Sequence, residues 1–366
     1  MRIEPSAQSC SLCGSAPAGA GWSLGTDGGY LRELVDYWAD GYDFEAREAT
    51  LARTPRYRVE LDGLGIHVIH VPAATGNGMP LLLCHGWPDS TWRYEQVIPL
   101  LADPAAHGGD PADAFDVIVP DMPGFGYSDK PDPALNAIEV AGLWAKLMTA
   151  LGYDRFGVAG GDIGSHVSRD LALDHAERLL AVHRMDAGIP RHPHPEELPE
   201  EERAVIEQAA QWGAAEGTYA QMQRTKPQTL AVGLSDSPAG LASWIVEKLR
   251  AWSDTHGEFE SRYTKDEILD LLTSVWLTET IDSSIRMYRV NGAIPPEHFN
   301  RYIDVPSGFS IFPAEIIRPP RAWLDRVANV VSHTEPVSGG HFAPYEEPEL
   351  YAQELRDFFR PFRNAH

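Results

Sequence analysis

Phe156-Gly-Val-Ala-Gly-Gly-Asp-Ile-Gly164 is a short apolar run that breaks into glycines around one aspartate. A strand that turns sharply into a helix needs small neighbours and thrusts its central side chain outward, the G-x-Nu-x-G pattern of a nucleophile elbow. The central residue here is Asp162. Glycine-flanked aspartates are common in ordinary turns, so the motif takes its meaning from what surrounds it.

Upstream, Pro80-Leu-Leu-Leu-Cys84 and Phe115–Val119 are wholly apolar runs of the kind buried on both faces of a parallel sheet. The first ends in His85-Gly-Trp-Pro88 and the second in the turn-rich loop Pro120–Ser128. Such carboxyl ends of strands are where open α/β sheets bind ligands. Val140, Leu143, Trp144, Leu147 and Leu151 have helical spacing before the Phe156–Ala159 strand, and Leu179–His183 reads as the next strand, ending near Asp186. Strand and helix alternate, which predicts an α/β-hydrolase fold: a mostly parallel sheet flanked by helices.

The alternation stops at about residue 189. Val205, Ile206, Ala209 and Ala210, then Leu241, Trp244, Ile245, Leu249 and Trp252, then Ile268, Leu271, Leu272, Val275 and Trp276 all repeat at helical period, which predicts an inserted helical lid. Gly308–Phe312 and Ala328–Val331 resume the strand signature, and Pro348–Phe359 reads as a closing amphipathic helix. At the other end, Tyr30–Trp38 has helical spacing, and Tyr57–Leu61 and Ile66–Val71 alternate as a hairpin about Asp62-Gly63. The expected division is an N-terminal arm and hairpin over 1–75, with 1–20 poorly ordered, core over 76–188, lid over 189–300 and core again over 301–366.

A formal charge of −23 argues against nucleic acid and anionic membrane surfaces as partners, leaving a small molecule. No apolar run approaches the roughly 20 residues that cross a bilayer, and the first 25 residues lack a basic stretch followed by an apolar one, so no membrane anchor and a cytoplasmic location are expected. A homo-oligomer is compatible with the sequence. Cys10-x-x-Cys13 has no second Cys/His pair at zinc spacing, and His192-x-His194 has no third ligand, so neither predicts a metal or cofactor site. Cys84 reads as a packed core thiol.

In this fold an acid and then a histidine follow the nucleophile in the chain. Of fourteen histidines, His341 in Ser338-Gly-Gly-His-Phe342 suits the base best, because a glycine-rich loop before the last helix lets the ring reach over the sheet. His85, His166 and His183 read as structural. Glu315, in Phe309-Ser-Ile-Phe-Pro-Ala-Glu315, stands at the end of the penultimate strand; Asp304, read as preceding that strand, and Asp325, read as helical, are the other acids. The backbone N–H groups of Trp87 and Ile163 are placed to form an oxyanion hole. A carboxylate nucleophile attacks saturated carbon and becomes the acyl group of an ester, so the hole would serve the enzyme's own ester.

Gly21-Trp-Ser-Leu-Gly-Thr-Asp27, Tyr30–Trp38, His85–Pro88, Ala106–Asp116, Pro123-Gly-Phe-Gly126, Thr225–Thr229, Asp236–Leu241 and Phe312-Pro-Ala-Glu315 together resemble the microsomal-type epoxide hydrolases from about residue 21 onward. The resemblance implies hydrolysis of a small-molecule epoxide by water without a cofactor or metal. It implies Asp162 as nucleophile, Glu315 as acid and His341 as base, and two lid tyrosines on the epoxide oxygen, which match Tyr219 and Tyr288. A phenol stays protonated at neutral pH and can meet the alkoxide that ring opening creates. The chain departs from the family in Ile163, where a tryptophan commonly follows the nucleophile. Haloalkane dehalogenases share the Asp/His/acid logic but need halide-binding N–H donors, for which Trp87 is a candidate, and no tyrosine pair. A third reading is a silent scaffold that binds a ligand or partner; against it, every catalytic position is filled.

Overall fold

The computed structural model describes residues 21–188 and 195–365. Cys10, Cys13, His192 and His194 lie outside them. The arm contributes α1 (Gly28–Asp40), capped by the Asp27 carboxylate, and α2 (Phe44–Leu51). The hairpin β1 (Arg56–Leu61) and β2 (Leu64–Val71) leads into β3 (Met79–Cys84), α3 (Val97–Ala102) and β4 (Phe115–Pro120). Then come α4 (Ala137–Ala150), β5 (Phe156–Gly160), α5 (Ile163–Asp174) and β6 (Leu179–Arg184).

The helical insertion that follows β6, the segment expected as a lid, holds α6 (Glu200–Ala215), α7 (Thr218–Thr225), α8 (Pro227–Asp236), α9 (Pro238–Trp252), α10 (Lys265–Thr278) and α11 (Thr280–Asn291). The chain returns through β7 (Ile303–Ser310), α12 (Arg321–Leu324), β8 (Ala328–Thr334), α13 (Ala343–Glu346) and α14 (Pro348–Phe359). Among the described residues the sheet runs β1-β2-β4-β3-β5-β6-β7-β8, antiparallel from β1 to β4 and parallel from β4 onward.

Alternation along the strands divides the core, because successive side chains point to opposite faces. Leu82, Val158 and Val182 pack with Trp144, Leu147, Val167 and Leu171 of α4 and α5. Leu81, Leu83, Ala159 and Ala181 pack with Val97, Leu101, Leu355 and Phe359 of α3 and α14. The arm reaches across to the lid, where the Trp38 indole N–H donates to Thr273 Oγ1 at 2.9 Å and the Tyr37 hydroxyl to Asp266 at 2.8 Å. No helix of the described residues is long and apolar enough to cross a membrane.

Two expectations need correction. The penultimate strand begins at Ile303 and ends at Ser310, not Gly308–Phe312, so Asp304 lies within the strand and not before it. Pro306 and Gly308 obscure the strand in the sequence; the structure accommodates them with register shifts around Ser307 and Gly308. Asp325 is the residue that ends the four-residue α12, not part of a helix interior.

Candidate active site

Asp162 sits between β5 and α5 with φ 56° and ψ −131°, a conformation that L residues rarely adopt. Crowding around the turn explains its glycines. A Cβ on Gly164 would lie 2.0 Å from the Cys84 carbonyl oxygen, and one on Gly86 would lie 2.4 Å from Asp162 Cβ. Only bare backbone lets the β3 loop come that close to the aspartate. That approach delivers the Trp87 N–H to Asp162 Oδ1 at 2.8 Å. The Asp162 N–H itself donates to Asp186 Oδ2 at 2.8 Å.

We expect Gly86→Ala to displace this loop and, with the Trp87 N–H in the oxyanion-hole role expected of it, to lower turnover roughly 10²–10³-fold. Steady-state kinetics on a variant whose melting temperature stays near the wild-type value will check it; unchanged turnover would show that the close approach is dispensable.

The histidine loop comes from the other side. The His341 backbone N–H donates to the Trp252 carbonyl at 2.9 Å, which ties the loop to the end of α9. Its Nε2 lies 3.2 Å from Asp162 Oδ2, and its Nδ1 lies 2.8 Å from Glu315 Oε1. Glu315 is buried, and Oε1 also accepts the Ile316 N–H at 2.8 Å. Asp162, His341 and Glu315 thus form one chain of contacts.

Charge is distributed accordingly. Burial by itself raises the Asp162 carboxyl, but the hydrogen bond and charge of His341, the charge of Arg93 and the Trp87 N–H outweigh it and bring it to about 2. Burial disfavours the His341 cation, yet Glu315 and Asp162 outweigh that and raise it to about 10. Each partner's charge favours the other's, which points to a carboxylate beside an imidazolium at rest.

Over the pair lie the lid aromatics. Tyr219 stacks on Trp87 with ring centroids 5.6 Å apart, Tyr288 meets Trp87 edge-on at 5.8 Å, and the two tyrosine rings are 5.9 Å apart. Burial first, then the charge of Asp162, pushes the Tyr219 phenol above its ordinary value; burial, then Tyr219 and Asp162, does the same to Tyr288. Both phenols hold their protons. Ile163 begins α5 and is buried, and its N–H is one of those a helix start leaves unpaired. No hydrogen bond joins it to Asp162 among the described residues. His85 is buried beside the loop, with Nδ1 2.9 Å from the Gly86 carbonyl and Nε2 accepting the Met122 N–H at 2.9 Å.

Several supporting groups escaped the reading of the sequence. The fully buried Arg93 bonds Asp89 Oδ2 at 2.5 Å and the His341 carbonyl at 2.8 Å, linking the loop that carries Trp87 to the loop that carries the histidine. Glu346 accepts the Asp254 N–H at 2.7 Å and the Phe342 N–H at 2.9 Å; burial raises its carboxyl to about 7. The one available signal was the i, i+4 spacing of Asp89 and Arg93. A cavity of about 530 Å³ between the β1–β2 turn and α4 contains none of these groups.

Comparison with known proteins agrees with the geometry. Residues 7–94 match the epoxide hydrolase N terminus, and residues 79–235 match the alpha/beta hydrolase fold. A Stigmatella aurantiaca protein provisionally named an epoxide hydrolase is 42% identical over 345 residues, spanning 93% of this chain and 78% of that one. Epoxide hydrolase 1 of Sus scrofa is 32% identical, spanning 91% of this chain and 80% of its own. The crystal structure of juvenile hormone epoxide hydrolase from the silkworm Bombyx mori superposes with a TM-score of 0.81 at 28% identity, covering 100% of this chain and 93% of that one. The Aspergillus niger epoxide hydrolase structure gives 0.83 at 28% identity, covering 97% and 93%. With an aspartate on the elbow, a Glu–His pair behind it and two phenols above it, the chain belongs to the epoxide hydrolase family of the α/β-hydrolase fold.

Proposed function

We propose that this epoxide hydrolase works through a covalent ester on Asp162. The observation that carries the reading is the position of Asp162 Oδ2, 3.2 Å from His341 Nε2, while Oδ1 is held by the Trp87 N–H at 2.8 Å. A carboxylate kept ionised in this way is a nucleophile at neutral pH. It attacks one ring carbon from the back as the C–O bond breaks, and Tyr219 or Tyr288 gives its proton to the departing oxygen.

Esterification then removes the negative charge of Asp162, one of the two charges that raise His341. The imidazole becomes easier to deprotonate. Its proton is released and the phenolate takes one up. The neutral imidazole, oriented by Glu315, then takes a proton from water as that water attacks the ester carbonyl. The tetrahedral intermediate collapses with its hydroxyl proton passing to the departing oxygen, so that the diol leaves. The Trp87 N–H, which donates to Oδ1, supports a role as one oxyanion donor, and the Ile163 N–H is the candidate second. The proton that His341 takes from water restores the resting imidazolium.

The tyrosines test the reading directly. Tyr219→Phe and Tyr288→Phe should each slow alkylation by roughly 10²-fold, at the lower end of what a general acid contributes, and the double variant further. Single-turnover measurement with styrene oxide, following diol by chromatography and Trp fluorescence, supplies the rates. Full alkylation by the double variant would remove the phenols from the mechanism.

A further inference from the structure

Lys248 lies on α9 in the lid and is buried to 6% exposure. Its ammonium stands 4.9 Å from the centroid of the Tyr219 ring and 5.9 Å from that of Trp252. Its ionic partner is the neighbouring Glu247 carboxylate, whose side chain is 21% exposed. Burying a lysine is costly unless its charge is compensated, and an aromatic face is one way to compensate it.

We infer that Lys248 tunes the acidity of Tyr219, stabilising the phenolate that forms as Tyr219 gives its proton to the epoxide oxygen. The inference rests on the proposed role of Tyr219. The charges and phenol that bear on Tyr219 are Asp162 from the elbow, Glu247 and Lys248 from α9, and Tyr288 from α11. Both carboxylates oppose a phenolate, and Lys248 is the cation over that ring among the described residues. The ammonium faces a ring whose negative charge grows as the proton leaves, so its attraction is stronger in the transition state than in the ground state, and only such a difference accelerates a step. The Asp162 oxygen–carbon bond forms, the ring C–O bond breaks, and the proton passes from Tyr219 to the ring oxygen. The phenolate recovers a proton as the His341 imidazolium releases one, before the neutral imidazole takes one from water. Lys248 neither gives nor takes a proton and touches no reacting atom. It acts through Tyr219.

The test is a double-mutant cycle on the full chain with styrene oxide, reading alkylation and ester hydrolysis separately in single turnovers. Lys248→Met should slow alkylation about tenfold, as expected for one desolvated cation–π contact, and leave hydrolysis unchanged. Lys248→Arg should keep most of the rate. In a Tyr219→Phe background, Lys248→Met should add nothing. Should Lys248→Met fail to fold, Lys248→Gln takes its place, keeping a polar end for Glu247. Equal slowing in both backgrounds, or equal slowing of both steps, would assign Lys248 to lid packing and overturn the proposal. If Tyr219→Phe alone leaves alkylation intact, the reading of Tyr219 fails first, and the inference with it.

Discussion

His341→Gln is expected to stop turnover while leaving the first chemical step running. Glutamine cannot take a proton from water, so the ester on Asp162 should accumulate, and steady-state turnover should fall by about four orders of magnitude, as when a triad member is removed. Alkylation survives because Arg93 and the Trp87 N–H still favour the Asp162 carboxylate when the imidazolium is gone. Intact-protein mass spectrometry after excess styrene oxide should show one persisting adduct, mapped to the peptide containing Asp162. In the wild-type enzyme the same logic sets the pH dependence. Hydrolysis of the ester should slow as pH falls through the His341 value of the alkylated enzyme, which lies below the resting value of about 10 because Asp162 no longer carries charge. Alkylation needs the Asp162 carboxylate, held near 2, and the protonated phenols, which burial keeps above their ordinary values, so it should stay level over that range.

Asp162→Ala should abolish both steps, with turnover reduced by at least about 10⁴-fold and no adduct at any substrate excess. It should also alter His341 without touching it. Two carboxylates raise the imidazole in the resting enzyme, and with Asp162 gone only Glu315 remains, so His341 should titrate at lower pH than about 10. NMR titration of the imidazole in this variant measures that shift. An unmoved His341 would mean that Glu315 alone sets its charge.

The placement of Asp162, His341 and Glu315 was more legible in the sequence than the groups around them. Gly160, Gly161 and Gly164 announce the elbow because steric crowding leaves small residues as the sensible choice, and the glycine loop before His341 is equally local. The inserted helices were visible as helical period in α9 and α10, where one face of each helix is apolar. Groups whose partners are distant backbone atoms left no such trace. Arg93 reaches the carbonyl of His341, 248 positions away, and Glu346 reaches the N–H of Asp254, 92 positions away. Lys248 reads as a polar residue among the apolar positions of α9, and only folding against α7 sets it over Tyr219. Strand β7 was misjudged for a different reason: Pro306 and Gly308 imitate a break, and the parallel neighbours on both sides hold the strand through it.

If the ester forms, an oxygen of Asp162, not of water, enters the diol in the first turnover. A single turnover in water enriched in oxygen-18, with enzyme in excess over epoxide, tests it most directly. The covalent route predicts an unlabelled first diol and one heavy oxygen left in the peptide that contains Asp162. A labelled first diol with an unlabelled Asp162 would show that water attacks the epoxide itself and would contradict the mechanism.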